Sequence, residues 1–183
     1  MTATGNESSQ HYPKRAVVDT NVIVNVALGA EDTTDPAYLP RSKRLLNDGI
    51  AGDLELLLPS MVMIELSCNH IVRSGKSGQF QSQERRHKKM LLEWCRNSNL
   101  TMVDLTADAA GWFSETIAVQ NLRPGDAAVL ASAKYAHATH VYTWDKGFID
   151  TVEHARGQGH TDIAACNPPE LPPTQGELEL AKG

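Results

Sequence analysis

Short apolar runs along the chain alternate with longer stretches in which apolar residues recur at helical spacing. The short runs fall at residues 16–18, 54–58, 100–105, 140–143 and 162–166, and we interpret them as five strands. Parallel strands need a long crossover between them, and a helix usually supplies it. The pattern therefore predicts an α/β fold, with a mainly parallel five-stranded sheet covered by helices on both faces.

Residues that favour helix starts support this alternation. Asp35 before a proline, Ser60 and Thr106 can each cap a helix, because their side-chain oxygens can accept from free main-chain N–H groups. Asp126 lies at the start of a helix that continues through residues 127–133, which are small and apolar on most sides. We expect that helix to be buried against the sheet.

Length and composition indicate one domain flanked by two tails. The 183 residues provide one well-buried core. Residues 1–13 are small and polar, and residues 169–183 are rich in proline and acidic residues, so we assign the ordered domain to residues 14–168. The sequence shows no secretory signal and no apolar run of the roughly 20 residues that span a bilayer. We expect a cytoplasmic protein that does not enter the membrane.

The cysteines do not indicate a metal or redox centre. They are odd in number and widely spaced, and they form no zinc-binding or redox motif. We expect reduced thiols in the core at Cys68, Cys95 and Cys166.

The net charge of -5 contrasts with one strongly basic segment. A negative total argues against nucleic-acid binding driven by overall charge, because such binding needs a positive field. Residues 73–96 reverse the sign locally, within a predicted helical pair over 62–96 that breaks near 74–78. The densest cations there are Arg85, Arg86, Lys88 and Lys89. This run is either the solvated face of a helix or a surface that contacts nucleic-acid phosphates.

Four carboxylates fall at matching places in the predicted fold. Asp19 directly follows the first strand, and Glu65 lies in the helix after the second. Asp126 begins the helix before the fourth strand, and Asp145 comes just after that strand. The carboxyl ends of parallel strands share one edge of a sheet, where ligands bind. We therefore expect these acids to meet in space.

Such a cluster needs a positive partner. Two unit charges about 4 Å apart repel by roughly 4 kcal/mol at an effective dielectric of 20, which is large beside a domain stability of about 5–15 kcal/mol. Nearby cations are few, so bound Mg²⁺ or Mn²⁺ is the simpler resolution, and oxygen-only ligands suit these ions. Such a site suits phosphodiester hydrolysis. Asn21 and Thr143 could orient the ligating carboxylates or a water.

Four segments carry a resemblance to the PIN-domain family, and to its VapC-like toxin branch in particular. They are VVDTNVI at 17–23, MVMIEL at 61–66, RPGDAA at 123–128 and YTWDKGF at 142–148. The resemblance implies a three-layer α/β/α sandwich, an Mg²⁺- or Mn²⁺-dependent endoribonuclease and commonly a homodimer. In toxin–antitoxin members it also implies a cognate antitoxin. The chain departs from the compact members by its tails and by residues 29–52.

Carried over by position, the metal-binding acids of the family fall on Asp19, Glu65, Asp126 and Asp145, with Asn21 and Thr143 beside them. Each acid also has a structural interpretation as a cap or turn residue. Glu65 fits this interpretation least well, because its spacing places it on one apolar helix face with Ile64 and Cys68.

Other functions fit the sequence less well. A phosphatase of the haloacid-dehalogenase type needs a second acid where Asn21 stands, a receiver domain does not account for Glu65, and no GxGxxG motif follows the first strand. A PIN-like domain that binds RNA or a protein partner without cutting remains the alternative to a ribonuclease.

Overall fold

A computed structural model of the chain describes residues 12–28, 35–68, 81–116 and 122–170. The strands are β1 Arg15–Val18, β2 Glu55–Pro59, β3 Thr101–Val103, β4 His140–Tyr142 and β5 Ala164–Cys166. The helices are α1 Thr20–Leu28, α2 Tyr38–Ala51, α3 Ser60–Cys68, α4 Gln81–Asn97, α5 Ala107–Thr116, α6 Pro124–Tyr135 and α7 Lys146–Gly157.

The strands form one sheet in the order β3-β2-β1-β4-β5, and every neighbouring pair is parallel. The predicted sheet is thus confirmed and is parallel throughout these strands. Successive residues in a strand point to opposite faces. Ala16, Val17 and Val18 are all fully buried, so both faces of the central strand are covered, as in a three-layer α/β/α arrangement.

The strand order places a switch point beside β1. From β1 the chain adds β2 and β3 on one side, and it then returns to place β4 and β5 on the other. Crossovers that leave in opposite directions open a crevice at the carboxyl ends of the two strands between which they diverge. The carboxyl ends of β1 and β4 are therefore where this fold favours a ligand site.

The predicted helix starts are found with some differences. Thr106 caps α5, because its Oγ1 accepts from the N–H of Ala109 at 3.2 Å. Asp35 instead accepts from the N–H of Ala37 at 2.9 Å, which closes a turn just before α2. Ser60 is the first residue of α3, and its hydroxyl accepts from the N–H of Leu105 at 3.3 Å. Residues 128–133 of α6 are buried, as predicted.

The face that α3 buries differs from the prediction. Val62 and Leu66 are fully buried, whereas Ile64 is 56% exposed and Cys68 is exposed. The prediction that Cys68 is a core thiol was therefore wrong, and so was the apolar face assigned to Glu65. The helix is apolar nearly all round, so the sequence did not define which side would pack.

Several expectations fall partly or wholly outside the described residues. These include most of both predicted tails and the break near 74–78. Of the N-terminal segment, Tyr12 is described, and its hydroxyl donates to Asp48 Oδ2 at 2.8 Å. The predicted helical pair corresponds to α3 and α4, which contact each other. None of the helices over the described ranges has the length and apolar content needed to cross a bilayer.

Candidate active site

The carboxyl ends of β1 and β4 bring two polar residues together at the centre of the sheet. Val18 is paired with Tyr142, so the residues that follow, Asp19 and Thr143, leave the sheet side by side. Thr143 Oγ1 donates to Asp19 Oδ2 at 2.6 Å. Asp19 is 5% exposed and Thr143 is fully buried. A carboxylate is therefore fixed in the crevice at the switch point.

The Asp19 carboxylate has further donors from the start of α1. The N–H of Thr20 donates to Oδ1 at 2.6 Å, and Asn21 Nδ2 donates to Oδ2 at 2.7 Å. Asn21 Nδ2 also lies 2.8 Å from Thr143 Oγ1, and Asn21 Oδ1 accepts from the N–H of Trp144 at 2.9 Å. Asn21 thus ties α1 to the segment after β4 and holds Asp19 between them.

Helices α3 and α6 bring two more carboxylates to this edge. The hydroxyl of Thr20 donates to Glu65 Oε2, so adjacent residues of one segment hold both Asp19 and Glu65. Gly125 lies against Glu65, and a Cβ added at Gly125 would be 2.1 Å from Glu65 Oε1. Asp126 follows in the first turn of α6. The absence of a side chain at Gly125 therefore lets the α6 start approach Glu65 closely.

Asp145 completes the group as the N-cap of α7. Its Oδ1 accepts from the N–H of Phe148 at 3.1 Å, and its own N–H donates to Thr143 Oγ1 at 3.0 Å. Its Oδ2 lies 3.7 Å from Nη1 of Arg123. Asp145 therefore has a structural role as a helix cap, and its charge also acts on Asp126 in the site.

The charge of Asp19 is unfavourable in this surrounding. Burial raises the pKa of Asp19 to about 6, against the opposing effect of the hydrogen bonds from Thr143 and Thr20. The negative charges of Asp126 and Glu65 raise that pKa further.

The charged form of Asp126 is disfavoured in a similar way. Burial contributes most to the raised pKa of Asp126. The charges of Asp145 and Glu65 raise this pKa further, whereas the charge of Arg123 lowers it. The negative charges of Asp145 and Glu65 thus disfavour the charged form of Asp126, and Arg123 offsets only part of this effect.

Their donor set fits a hard divalent cation, because every candidate ligand is a carboxylate oxygen. The described residues hold no set of three or more carboxylate, histidine or cysteine side chains already gathered as a metal site. Asp19, Glu65 and Asp145 each accept a hydrogen bond from a protein donor.

The Trp144 side chain packs on α2. Its ring stacks on Tyr38, with the centroids 3.9 Å apart and the planes 9° apart, and its Nε1 donates to the buried Ser42 hydroxyl at 2.9 Å. The guanidinium of Arg41 lies 5.0 Å from the ring centroid. Trp144 is therefore used for packing.

The basic run lies on α4, which packs on the helix that carries Glu65. Arg86 and Lys89 are exposed, and Lys88 is partly buried. Lys89 Nζ forms a loose pair with Glu93 Oε1 at 3.6 Å. The side chain of Arg85 lies outside the described set. A solvated helix face is thus present, and RNA contact through it stays a prediction.

Two residues that hold the site together, Thr20 and Gly125, were not predicted from the sequence. Thr20 directly follows Asp19, so its proximity to the site was visible in the sequence. Its contact with Glu65 depends on how α1 and α3 pack. Gly125 precedes Asp126, and the requirement for glycine there becomes visible only once α6 meets α3.

Comparison with known proteins settles the family. The sequence profile of the PIN domain matches residues 16–153, which is about three quarters of the chain. The chain belongs to the PIN domain family. This family assignment confirms the resemblance seen in the sequence. No curated protein sequence matches the chain.

Solved structures of low sequence identity share this PIN fold. A structure of FitAB bound to an IR36 DNA fragment has a TM-score of 0.53 and 16% identity, covering 87% of this chain and 99% of that one. FitAcB from Neisseria gonorrhoeae has a TM-score of 0.53 and 19% identity, covering 85% and 99%. Mycobacterium tuberculosis VapC20, described as a sarcin–ricin loop cleaving toxin, has a TM-score of 0.51 and 17% identity, covering 81% and 98%. At these identities the likeness shows the fold.

Proposed function

We propose that this PIN domain is a divalent-metal-dependent endoribonuclease that hydrolyses RNA phosphodiester bonds. The observation that carries the proposal is the approach of four carboxylates from separate segments to one crevice, where burial and the charges of neighbouring acids raise the pKa of Asp19 and of Asp126. Membership in the PIN family supports a nuclease-type activity.

Asp19, Glu65, Asp126 and Asp145 would hold the ion, which we take to be Mg²⁺ or Mn²⁺. Such an ion, when bound, supplies an activated water and stabilises the charge that develops on the phosphate. The protein's own part is orientation. Thr143 and Asn21 fix Asp19, and Thr20 fixes Glu65, so hydrogen bonds orient two of the four acids.

RNA is the substrate that the surface and the similar fold favour. The exposed cations Arg86 and Lys89 lie on α4 beside the helix of Glu65, and we propose that Arg85, Arg86, Lys88 and Lys89 help to bind RNA phosphates. The similar VapC20 is described as a toxin that cleaves the sarcin–ricin loop. We extend the proposal to a toxin of a toxin–antitoxin pair, with a cognate antitoxin and a homodimeric state.

The second candidate is a PIN domain that binds RNA or a protein partner without cutting. It is favoured by one observation, namely that Asp19, Glu65 and Asp145 each accept a hydrogen bond from the protein. Under this alternative the hydrogen bonds of Asp19 and Glu65 would be purely structural.

A cleavage assay separates the two candidates. Purified protein would be incubated with a structured RNA in Mg²⁺, in Mn²⁺ and in EDTA, alongside the Asp19→Asn variant. We expect cutting that needs both the metal and Asp19. If wild type and variant are equally inert while Mn²⁺ still raises the wild-type melting temperature, the binding function takes precedence.

A further inference from the structure

Arg123 lies beside the acids, and its ion pair with Asp145 holds its side chain only loosely. Its main chain is fixed, because it is the N-cap residue of α6 and its carbonyl accepts from the N–H of Ala127 at 2.9 Å. Its side chain is 81% exposed, and Nη1 lies 3.7 Å from Asp145 Oδ2. Exposed pairs of this kind contribute little to stability. The guanidinium is therefore exposed and weakly paired, while the main chain that carries it is fixed.

The positive charge of Arg123 does not offset the negative charge of the neighbouring acids. It lowers the pKa of Asp126, yet burial and the neighbouring acids still leave that pKa raised. If a divalent cation binds the acids, it removes most of the attraction that draws Arg123 toward Asp145. The guanidinium would then be available to another anion in the same crevice.

Under the proposed nuclease function that anion is the RNA backbone. A phosphate that reaches Asp126 and Asp145 must also pass within reach of Arg123, because the three residues lie around the same helix starts. The planar guanidinium matches two phosphate oxygens at once, which the single charge of a lysine does not. We propose that Arg123 is a substrate-contact residue that binds a backbone phosphate of the RNA at the cleavage site. This inference rests on the proposed function.

A purely electrostatic role of Arg123 would change the salt dependence of the reaction in a different way. If Arg123 only offsets the repulsion among the acids, its removal changes the Mn²⁺ requirement and affects the reaction equally at every salt concentration. If Arg123 binds a phosphate, a variant without this cation releases one counterion fewer when it binds RNA. For a single strand, each phosphate contact contributes roughly 0.7 to the slope of log affinity against log salt.

The experiment measures kcat/KM for a single-stranded RNA in saturating Mn²⁺ across a range of salt concentrations. The proteins are wild type, Arg123→Gln, Arg123→Lys and the control Lys14→Gln. Lys14 is exposed just before β1, at the opposite edge of the parallel sheet, and it loses the same charge. Melting temperatures in EDTA check that all four proteins are folded.

We expect Arg123→Gln to lower kcat/KM at low salt by about tenfold or more and to reduce the salt slope by roughly 0.7. Arg123→Lys should retain the slope but lose part of the rate, and Lys14→Gln should match wild type. Cleavage by Arg123→Gln with an unchanged salt slope would overturn the inference while leaving the nuclease function in place. Absence of cleavage by wild type would overturn both.

Discussion

Gly125 offers a substitution whose effects on stability and on function should run in opposite directions. An alanine Cβ at this position would lie 2.1 Å from Glu65 Oε1 and 3.3 Å from its Cδ. Real Cβ–oxygen contacts are about 1 Å longer than the first of these distances, so the carboxylate has to move. It lies at the end of a flexible side chain and can rotate away, but that rotation breaks the hydrogen bond from Thr20.

The effect on folding should be small or favourable. Gly125 lies in the first turn of α6 and does not have a positive φ. Alanine is favoured over glycine in helices by up to about 1 kcal/mol, which offsets the cost of moving Glu65. The effect on a metal site should be large, because loss of an orienting contact typically costs 10–100-fold in metal affinity or activity.

The assay measures the Mn²⁺ concentration at half-maximal cleavage, and urea unfolding in EDTA measures the fold. We expect Gly125→Ala to need roughly 10–100-fold more Mn²⁺ while unfolding at the same urea concentration or higher. Gly157→Ala is the matched control, because nothing lies within 4 Å of a Cβ there. A Gly125→Ala protein with the wild-type Mn²⁺ requirement would refute the role assigned to Glu65.

Three further predictions concern Asp19, Thr20 and the packing of Trp144. Burial raises the pKa of Asp19 from 3.8 to about 6, so the folded metal-free protein takes up a proton in that range. Its unfolding free energy, measured with urea in EDTA, should fall by up to about 3 kcal/mol as the pH rises through the range, and an equal fall in Asp19→Asn would exclude Asp19 as its source. Thr20→Val removes the hydroxyl that holds Glu65 and should raise the Mn²⁺ requirement of cleavage by roughly 10-fold or more, whereas Thr20→Ser should not; equal requirements would contradict the contact. Trp144→Phe leaves the buried Ser42 hydroxyl without its indole donor and should lower the unfolding free energy, measured with urea, by about 1–3 kcal/mol. Adding Ser42→Ala to this variant should lower the unfolding free energy little further. A large additional loss would show that the Ser42 hydroxyl has another role.

The positions of the five strands could be read from the sequence because buried parallel strands are short apolar runs bounded by polar residues. The predicted bounds agree with the observed ones to within two residues. The strand order could not be read in the same way, since it depends on how the crossovers pack. The prediction of which face of α3 is buried was wrong for a related reason. With apolar residues on most sides of that helix, only the neighbouring helices decide that Val62 and Leu66 are buried.

The acids could be located because strand ends in a parallel sheet share an edge. Asp19 and Thr143 follow paired strands, so their contact could be expected once β1 and β4 are neighbours. The contacts of Thr20 and Gly125 with Glu65 join elements far apart in the chain, and no local pattern indicates them.

The most direct test of the four-carboxylate site is the RNA cleavage rate in saturating Mn²⁺ for wild type, Asp126→Asn and Asp150→Asn. Asp150 is an exposed acid on α7, so its substitution makes the same chemical change outside the crevice. We predict that Asp126→Asn abolishes cleavage, because it removes a metal ligand, and that Asp150→Asn cuts at the wild-type rate. Full cleavage by Asp126→Asn would contradict the proposal that these carboxylates form a metal-dependent nuclease site.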